Sequence, residues 1–303
     1  MSQHKNLEPP FLYGSQRKQP ADGNLGIEIF YFSGTGNSLV VARDLAKKTN
    51  ATLTPIVLVM GQQTVESNAD AIGVVFPVFY ATNDRGIPLI IRRFLDKLKG
   101  LESKYVFAVC TSGYMPGSTI ENLRKDLEAK GGKLAAGFNV RMGSKRVAPA
   151  KQQKMRAKRE KKLTAIGDYV VARKTGRFET RGAVQKILLA PLHAFERVVF
   201  QYRYRRLAQA SDLSFMELVP LADLSFRVNE KCVGCGVCAR VCPVNNIKLV
   251  DGKPVWLHHC ETCYACYAWC PEGAIGGDIV AYNDWYRNPE AKLSDMLAAK
   301  RSS

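Results

Sequence analysis

The stretch Ile27-Glu28-Ile29-Phe30-Tyr31-Phe32-Ser33-Gly34-Thr35-Gly36-Asn37-Ser38 sets the architecture of this 303-residue chain. Its first half is a near-continuous apolar run, the pattern of a parallel strand buried on both faces. Its second half is small and polar and leads directly into a helical pattern over Leu39 to Lys48. Outward from it, apolar runs at Leu53 to Val59, Ala71 to Phe76, Tyr105 to Cys110 and Leu134 to Val140 repeat the strand character. Pro88 to Leu98, opening on a proline, and Ser118 to Lys130, closing on Gly131 and Gly132, read as helices. Gly61 to Asn68 is too polar and short to be one. This alternation predicts an α/β fold over residues 25–148, a doubly wound parallel sheet whose ligand sits beyond the carboxyl ends of the strands.

The loop Ser33, Gly34, Thr35, Gly36, Asn37 and Ser38 stands at that end of the first strand. Its glycines let several N–H groups converge, its hydroxyls and amide add donors, and the following helix N-terminus adds positive potential, so it can hold a phosphate without a lysine. It is neither the G-x-G-x-x-G fingerprint nor a Walker loop. A bare connection is the rival reading. The loops after the third and fourth strands border the same pocket: Pro77, Phe79 and Tyr80 in the stretch to Asn83, and Thr111, Ser112, Gly113 and Tyr114 in the stretch to Gly117. Aromatic faces beside backbone polar groups suit a flat isoalloxazine ring, although each aromatic taken singly reads as packing.

Eight of the nine cysteines fall into two copies of C-x2-C-x2-C-x3-C-P: Cys232, Cys235, Cys238 and Cys242, then Cys260, Cys263, Cys266 and Cys270. This spacing wraps a [4Fe–4S] cube with three thiolates and sends the fourth to the other cluster. Cluster I is therefore assigned to Cys232, Cys235, Cys238 and Cys270, and cluster II to Cys260, Cys263, Cys266 and Cys242. Structural zinc would leave the third cysteine of each run and the two C-P positions unexplained. Disulfides need an oxidising compartment, and the N-terminus carries nothing like a secretory signal. The glycines Gly234 and Gly236 and the small Ala239 and Ala265 suit a chain folding closely around a cube, with backbone N–H groups reaching its sulfurs.

With these residues in view, the chain resembles a known family. Ser33 to Ser38 matches the FMN-phosphate loop of flavodoxins. That domain followed by Asn229 to Cys238, Cys242 to Ile247 and Gly252 to Trp256 looks like the EFR1-type ferredoxins, flavodoxin-like domains fused to a bacterial 2[4Fe–4S] ferredoxin domain. The resemblance implies FMN in the first domain, two [4Fe–4S] clusters in the second, and electron transfer between them. Met142 to Arg146 departs from the Met-Pro-x-Asn-Tyr-like motif that the family tends to carry after its fifth strand.

The expected organisation is an N-terminal tail (1–24), the flavodoxin-like domain (25–148), a basic helical linker (149–224), the small α+β ferredoxin domain (225–280) and a C-terminal tail (281–303). The net charge of +17 resides almost wholly between Arg141 and Arg206, where 19 Lys and Arg stand against four acids. Apolar residues there, Val184, Leu188, Leu192, Phe195, Val199 and Tyr202, recur at helical spacing across Pro191. A pair of helices bridging the domains is the plain reading. An acidic redox partner, an anionic membrane surface and nucleic acid are its rivals, of which nucleic acid is not expected. Cys110 reads as a buried hydrophobe, His258 and His259 as polar loop residues, and Tyr282, Trp285 and Tyr286 as anchors of the tail. No catalytic triad or carboxylate pair presents itself, and no apolar run reaches the length of a membrane span. The chain reads as a cytoplasmic electron carrier with redox partner proteins; an FMN-dependent reductase fed by the clusters is the alternative, and a binding protein with structural clusters a third.

Overall fold

The computed structural model describes residues 26–80, 86–113, 115–143, 149–180, 182–280 and 286–300. The expected strands form β1 (Ile27–Tyr31), β2 (Thr52–Pro55), β3 (Ala71–Pro77), β4 (Tyr105–Ser112) and β5 (Leu134–Arg141), and a short β6 (Arg177–Phe178) is added at the edge. All pair in parallel in the order β2-β1-β3-β4-β5-β6. The first five strands thus follow the flavodoxin-like order, with the switch point between β1 and β3. β3 and β4 are buried along nearly their whole length, as helices on both faces require.

Those helices are α1 (Asn37–Thr49), the one-turn α2 (Ile56–Val59), α3 (Leu89–Lys97), α4 (Thr119–Glu128) and α5 (Pro149–Val171). The run Leu53 to Val59 is not one strand. Pro55 has no N–H to continue the ladder, and the chain turns there from β2 into α2. α1 begins after Gly36, whose φ of 89° only glycine adopts without strain, and ends on left-handed Asn50. α5 does not bridge two domains along its length. Leu163, Ile166 and Val170 bury one stripe as the helix packs on α1, and Lys48 pairs with Glu160 at 2.6 Å.

α6 (Ala183–Ala208) continues through Pro191 without a break. Its apolar residues recur at the expected helical spacing, yet Leu188 is 72% and Phe195 67% exposed. The period is helical, but among the described residues nothing covers that face. Only its last turns are seated, where Tyr204 joins Phe215, Leu218, Val219 and Ala222 in a small core built from α7 (Phe215–Leu218) and a 3-10 helix (Val219–Ser225).

The C-terminal part holds two small antiparallel sheets. β7 (Phe226–Val228) pairs with β10 (Ile275–Gly277), and β8 (Ile247–Val250) with β9 (Lys253–Trp256). Asp251 and Gly252 both have positive φ, giving β8 and β9 the tight two-residue turn that matches strand twist. Short helices α8 (Val237–Val241) and α9 (Ala265–Ala268) each follow the second left-handed residue of a cysteine run, Gly236 and Tyr264, and α10 (Leu293–Ala298) closes the described chain. Among the described residues no helix is long and apolar enough to cross a membrane.

Candidate functional site

The three loops at the carboxyl ends of β1, β3 and β4 meet around one cavity of about 160 Å³. Ser33, Gly34, Thr35, Asn37, Ser38, Pro77, Phe79, Thr111, Ser112 and Gly113 line it, together with two residues of the second cysteine run, Cys263 and Tyr264. Its polar wall is neutral: Ser38 Oγ and Thr111 Oγ1 lie 2.8 Å apart, and Gly36 N donates to Ser33 Oγ at 3.1 Å. Asn37 Oδ1 accepts from Asn288 Nδ2 at 2.9 Å and Tyr286 OH at 3.2 Å. With its oxygen held outward, the Asn37 amide nitrogen is the end left to donate. Hydroxyls, an amide donor and the start of a 13-residue helix form a donor set that fits a phosphate monoester.

Gly36 supports the loop from behind, and Phe79 packs edge-on to Phe32. Gly117 turns the chain before α4 with φ 61° and does not reach the cavity. Tyr80 does not frame it either. Its hydroxyl meets that of Tyr204 at 2.9 Å, and its ring packs on Phe215, because the chain takes φ 53° there and swings the side chain toward α6 and α7. Tyr114 and residues 81–85, as well as Ser144 to Val147, Tyr282 and Trp285, lie outside the described residues.

Two segments distant in sequence clasp the loop. Trp269 Nε1 donates to the Gly34 carbonyl at 2.9 Å, and a Cβ on Gly34 would stand 2.0 Å from the Cys263 carbonyl oxygen. On the other side Asn288 N donates to Thr35 O at 2.8 Å, and a Cβ on Gly36 would stand 2.7 Å from the Ala291 Cβ. The glycines therefore admit close backbone neighbours besides shaping an anion loop. Arg43 and Arg159 both hold Glu290, fixing this tail segment to α1 and α5.

The cysteines assemble in two adjoining groups. Burial pushes the Cys238 thiol up to about 11, and the charges of Cys235, Cys270 and Cys232 act in the same direction. Burial likewise raises Cys263, which feels Cys242 and Cys266. Cys260 is raised by burial and by Cys263 and Cys266. Burial raises Cys266, and the charges of Cys242 and Cys238 act in the same direction. Such thiols stay protonated at neutral pH until a metal supplies compensating charge. Backbone N–H groups already point at sulfur: Asn246 N to Cys242 Sγ and Thr262 N to Cys260 Sγ at 3.2 Å, and Ala274 N to Cys270 Sγ at 3.4 Å. Among the described residues no His, Cys, Asp or Glu group is drawn together as tightly as a single ion requires.

The second run is anchored to the α/β domain by Glu261, a residue that spacing alone did not single out. Its buried carboxylate accepts from Ile90 N at 2.9 Å and from the Arg93 guanidinium. His258 and His259 are structural: His258 Nδ1 lies 2.9 Å from Asp223 Oδ1, and Asn246 bridges Asp223 to His259 N. Cys110 is fully buried, with burial pushing its thiol up to about 12. Trp269, Asn288 and Glu290 were missed as well. Only the placement of Trp269 immediately before Cys270, a large indole in a small domain, could have drawn attention to them.

A family model described as a 4Fe-4S dicluster domain matches residues 225–271. Flavodoxin from Megasphaera elsdenii in its two-electron reduced form is 16% identical at TM-score 0.33, over 47% of this chain and 98% of its own. Flavodoxin from Streptococcus pneumoniae TIGR4 is 16% identical at TM-score 0.32, over 46% of this chain and 98% of its own. Rubredoxin oxygen:oxidoreductase from Desulfovibrio gigas is 20% identical at TM-score 0.34, over 48% of this chain but 36% of its own. No curated protein matches the chain. The chain is a fusion of an α/β domain of flavodoxin-like fold with a 4Fe–4S dicluster domain.

Proposed function

We propose that this protein transfers electrons between FMN, held by the loops of the α/β domain, and two [4Fe–4S] clusters held by the cysteine runs. The single observation that carries this reading is the shared wall: Cys263 and Tyr264 line the same cavity as Ser33, Thr35, Asn37 and Ser38. When bound, the cubes exchange one electron each and the flavin one or two, so the set interconverts single-electron and two-electron chemistry.

In this reading Ser33, Thr35, Asn37 and Ser38 donate to the flavin phosphate, while Pro77, Phe79, Thr111, Ser112 and Gly113 frame the ring. Cys232, Cys235, Cys238 and Cys270 ligate cluster I, and Cys260, Cys263, Cys266 and Cys242 cluster II. The mutual proximity of the thiols within each of these sets supports the crossed assignment. Trp269 is buried and Cys263 lines the cavity directly, whereas Cys235 and Val233 leave the first run open to solvent. The inner site thereby relays to the flavin and the outer one meets the redox partner.

Anaerobic purification with iron, sulfide and flavin counts tests this. About eight irons and one FMN per chain are expected from two cubes and one flavin site. Iron without flavin defeats the α/β-domain assignment, and flavin with about one or two metal ions per chain defeats the cluster assignment.

A further inference from the structure

Beyond the redox centres, the end of β5 and α5 line two contiguous clefts of about 390 and 560 Å³, the smaller of which is also lined by the tail segment around Glu290. Arg141, Met142, Met155 and Arg159 border both, and Lys154, Lys158 and Lys162 join them in the larger, whose described lining contains no acid. Both volumes are of small-molecule size. The cleft lies where ligands of open α/β sheets bind, beyond the carboxyl ends of β4 and β5. Gly113 lines it and also lines the cavity beside the β1 loop.

The local acids offset this charge only in part. Glu290 takes Arg159 Nη2 at 2.7 and 2.9 Å, and Asp44 lies 3.9 Å from the same atom. Glu179 takes Lys162 at 2.6 Å but is shared with Arg177 and the backbone N–H of Asn139. Lys154 and Lys158 are exposed and have no carboxylate partner among the described residues. The Arg159 side chain is only 9% exposed, and its Nε is buried with no hydrogen-bond acceptor among the described residues. A buried guanidinium N–H left without an acceptor is costly. Converging cations, two of them lysines with no carboxylate partner among the described residues, are the complement of clustered oxyanions.

We infer that this cleft binds a small-molecule polyanion, a compound bearing a diphosphate or several carboxylates. An acidic protein partner needs a contact area of about 800 Å² per side, whereas these are clefts of about 390 and 560 Å³, the size of small-molecule sites. The inference stands apart from the flavin assignment, because the cations lie on α5 and not on the β1 loop.

Isothermal calorimetry on the cofactor-loaded full chain, with inorganic pyrophosphate and then citrate as probes, tests it. Saturable 1:1 binding of either is expected, weakened about tenfold or more in Lys154→Gln/Lys158→Gln and unchanged in Lys248→Gln, an exposed lysine on β8. Binding of citrate alone keeps the inference and assigns the cleft to carboxylates. Absence of saturable binding of both probes overturns it, as does equal weakening in all variants or none. Displacement of pyrophosphate by added FMN also overturns it, since the cleft would then belong to the flavin. Binding of a polyglutamate peptide but of neither small probe overturns it in favour of a protein partner.

Discussion

The two cysteine runs share one spacing and one backbone course, but face different surroundings. Gly234 and Gly236 in the first run have φ of 69° and 70°; the equivalent Thr262 and Tyr264 in the second have 50° and 60°. Residues other than glycine at such angles cost about 1–2 kcal/mol each. The first run avoids that strain and remains open, with Cys235 exposed and Val233 69% exposed. The second accepts it to place bulky side chains against the α/β domain, where Tyr264 lies with Tyr80 and Tyr204 and all three cysteines of the tight loop are buried. One loop geometry thus serves an outward port and an inward relay, according to what stands at two left-handed positions.

The largest test removes one ligand from each run. Cys263→Ala and Cys235→Ala are each expected to lower iron from about eight to about four per chain. In stopped-flow spectra, only Cys263→Ala should abolish rapid electron exchange with the flavin, because only Cys263 lines the cavity. If both variants slow flavin reduction equally, the distinction between port and relay fails.

The anchors of the two runs differ in the same sense. Glu261 has a side chain only 1% exposed and relies on Arg93, so Arg93→Gln leaves a buried carboxylate uncompensated and should cost about 3 kcal/mol. Lys253 Nζ holds the Cys232 carbonyl at 2.9 Å in an exposed setting, and Lys253→Gln should change stability by less than about 0.5 kcal/mol. Guanidinium denaturation of the two variants under anaerobic conditions measures the contrast, and similar midpoints would remove it.

Much of this arrangement was legible in the chain itself, since strands buried on both faces and repeated thiol spacings leave local signatures. Ile27 to Tyr31, Ala71 to Pro77 and Leu134 to Arg141 formed strands where apolar runs placed them. The misreadings came from partners that no local pattern encodes. Pro55 broke the second strand, and β6 arose from Arg177 and Phe178, too short to show a period. The apolar stripe of α6 has helical spacing, but whether it is covered depends on tertiary contacts. Tyr80 reads as part of the ring pocket because it is an aromatic of the loop after the third strand, and a positive φ at a residue other than glycine turns it elsewhere. Glu261, Trp269 and Asn288 act across 171, 235 and 253 positions of sequence, on Ile90, Gly34 and Thr35.

The contact between relay and loop can be probed from the α/β side. Gly34→Ala would set a methyl 2.0 Å from the Cys263 carbonyl oxygen, a backbone atom that cannot rotate away. The loop and the second run must then separate, at an expected cost of about 1–3 kcal/mol and with weakened flavin retention on gel filtration. Full stability with full flavin content would show that the two segments do not touch.

A smaller effect than that at Gly34 bears on the equivalence of the loops themselves. If Gly236 and Tyr264 occupy the same backbone state, alanine at 236 meets only the intrinsic left-handed strain, because its Cβ would lie an ordinary 3.4 Å from Leu249 Cδ1. Gly236→Ala should therefore cost about 1 kcal/mol and leave iron content unchanged. Gly234→Ala adds a clash, its Cβ falling 2.7 Å from the Gly252 carbonyl oxygen at the β8–β9 turn, and should be the more damaging of the two. A loss of iron in Gly236→Ala would mean that the first run needs glycine for a reason Tyr264 does not share. The port would then be a loop that must move or admit a neighbour, and no longer the bare counterpart of the relay.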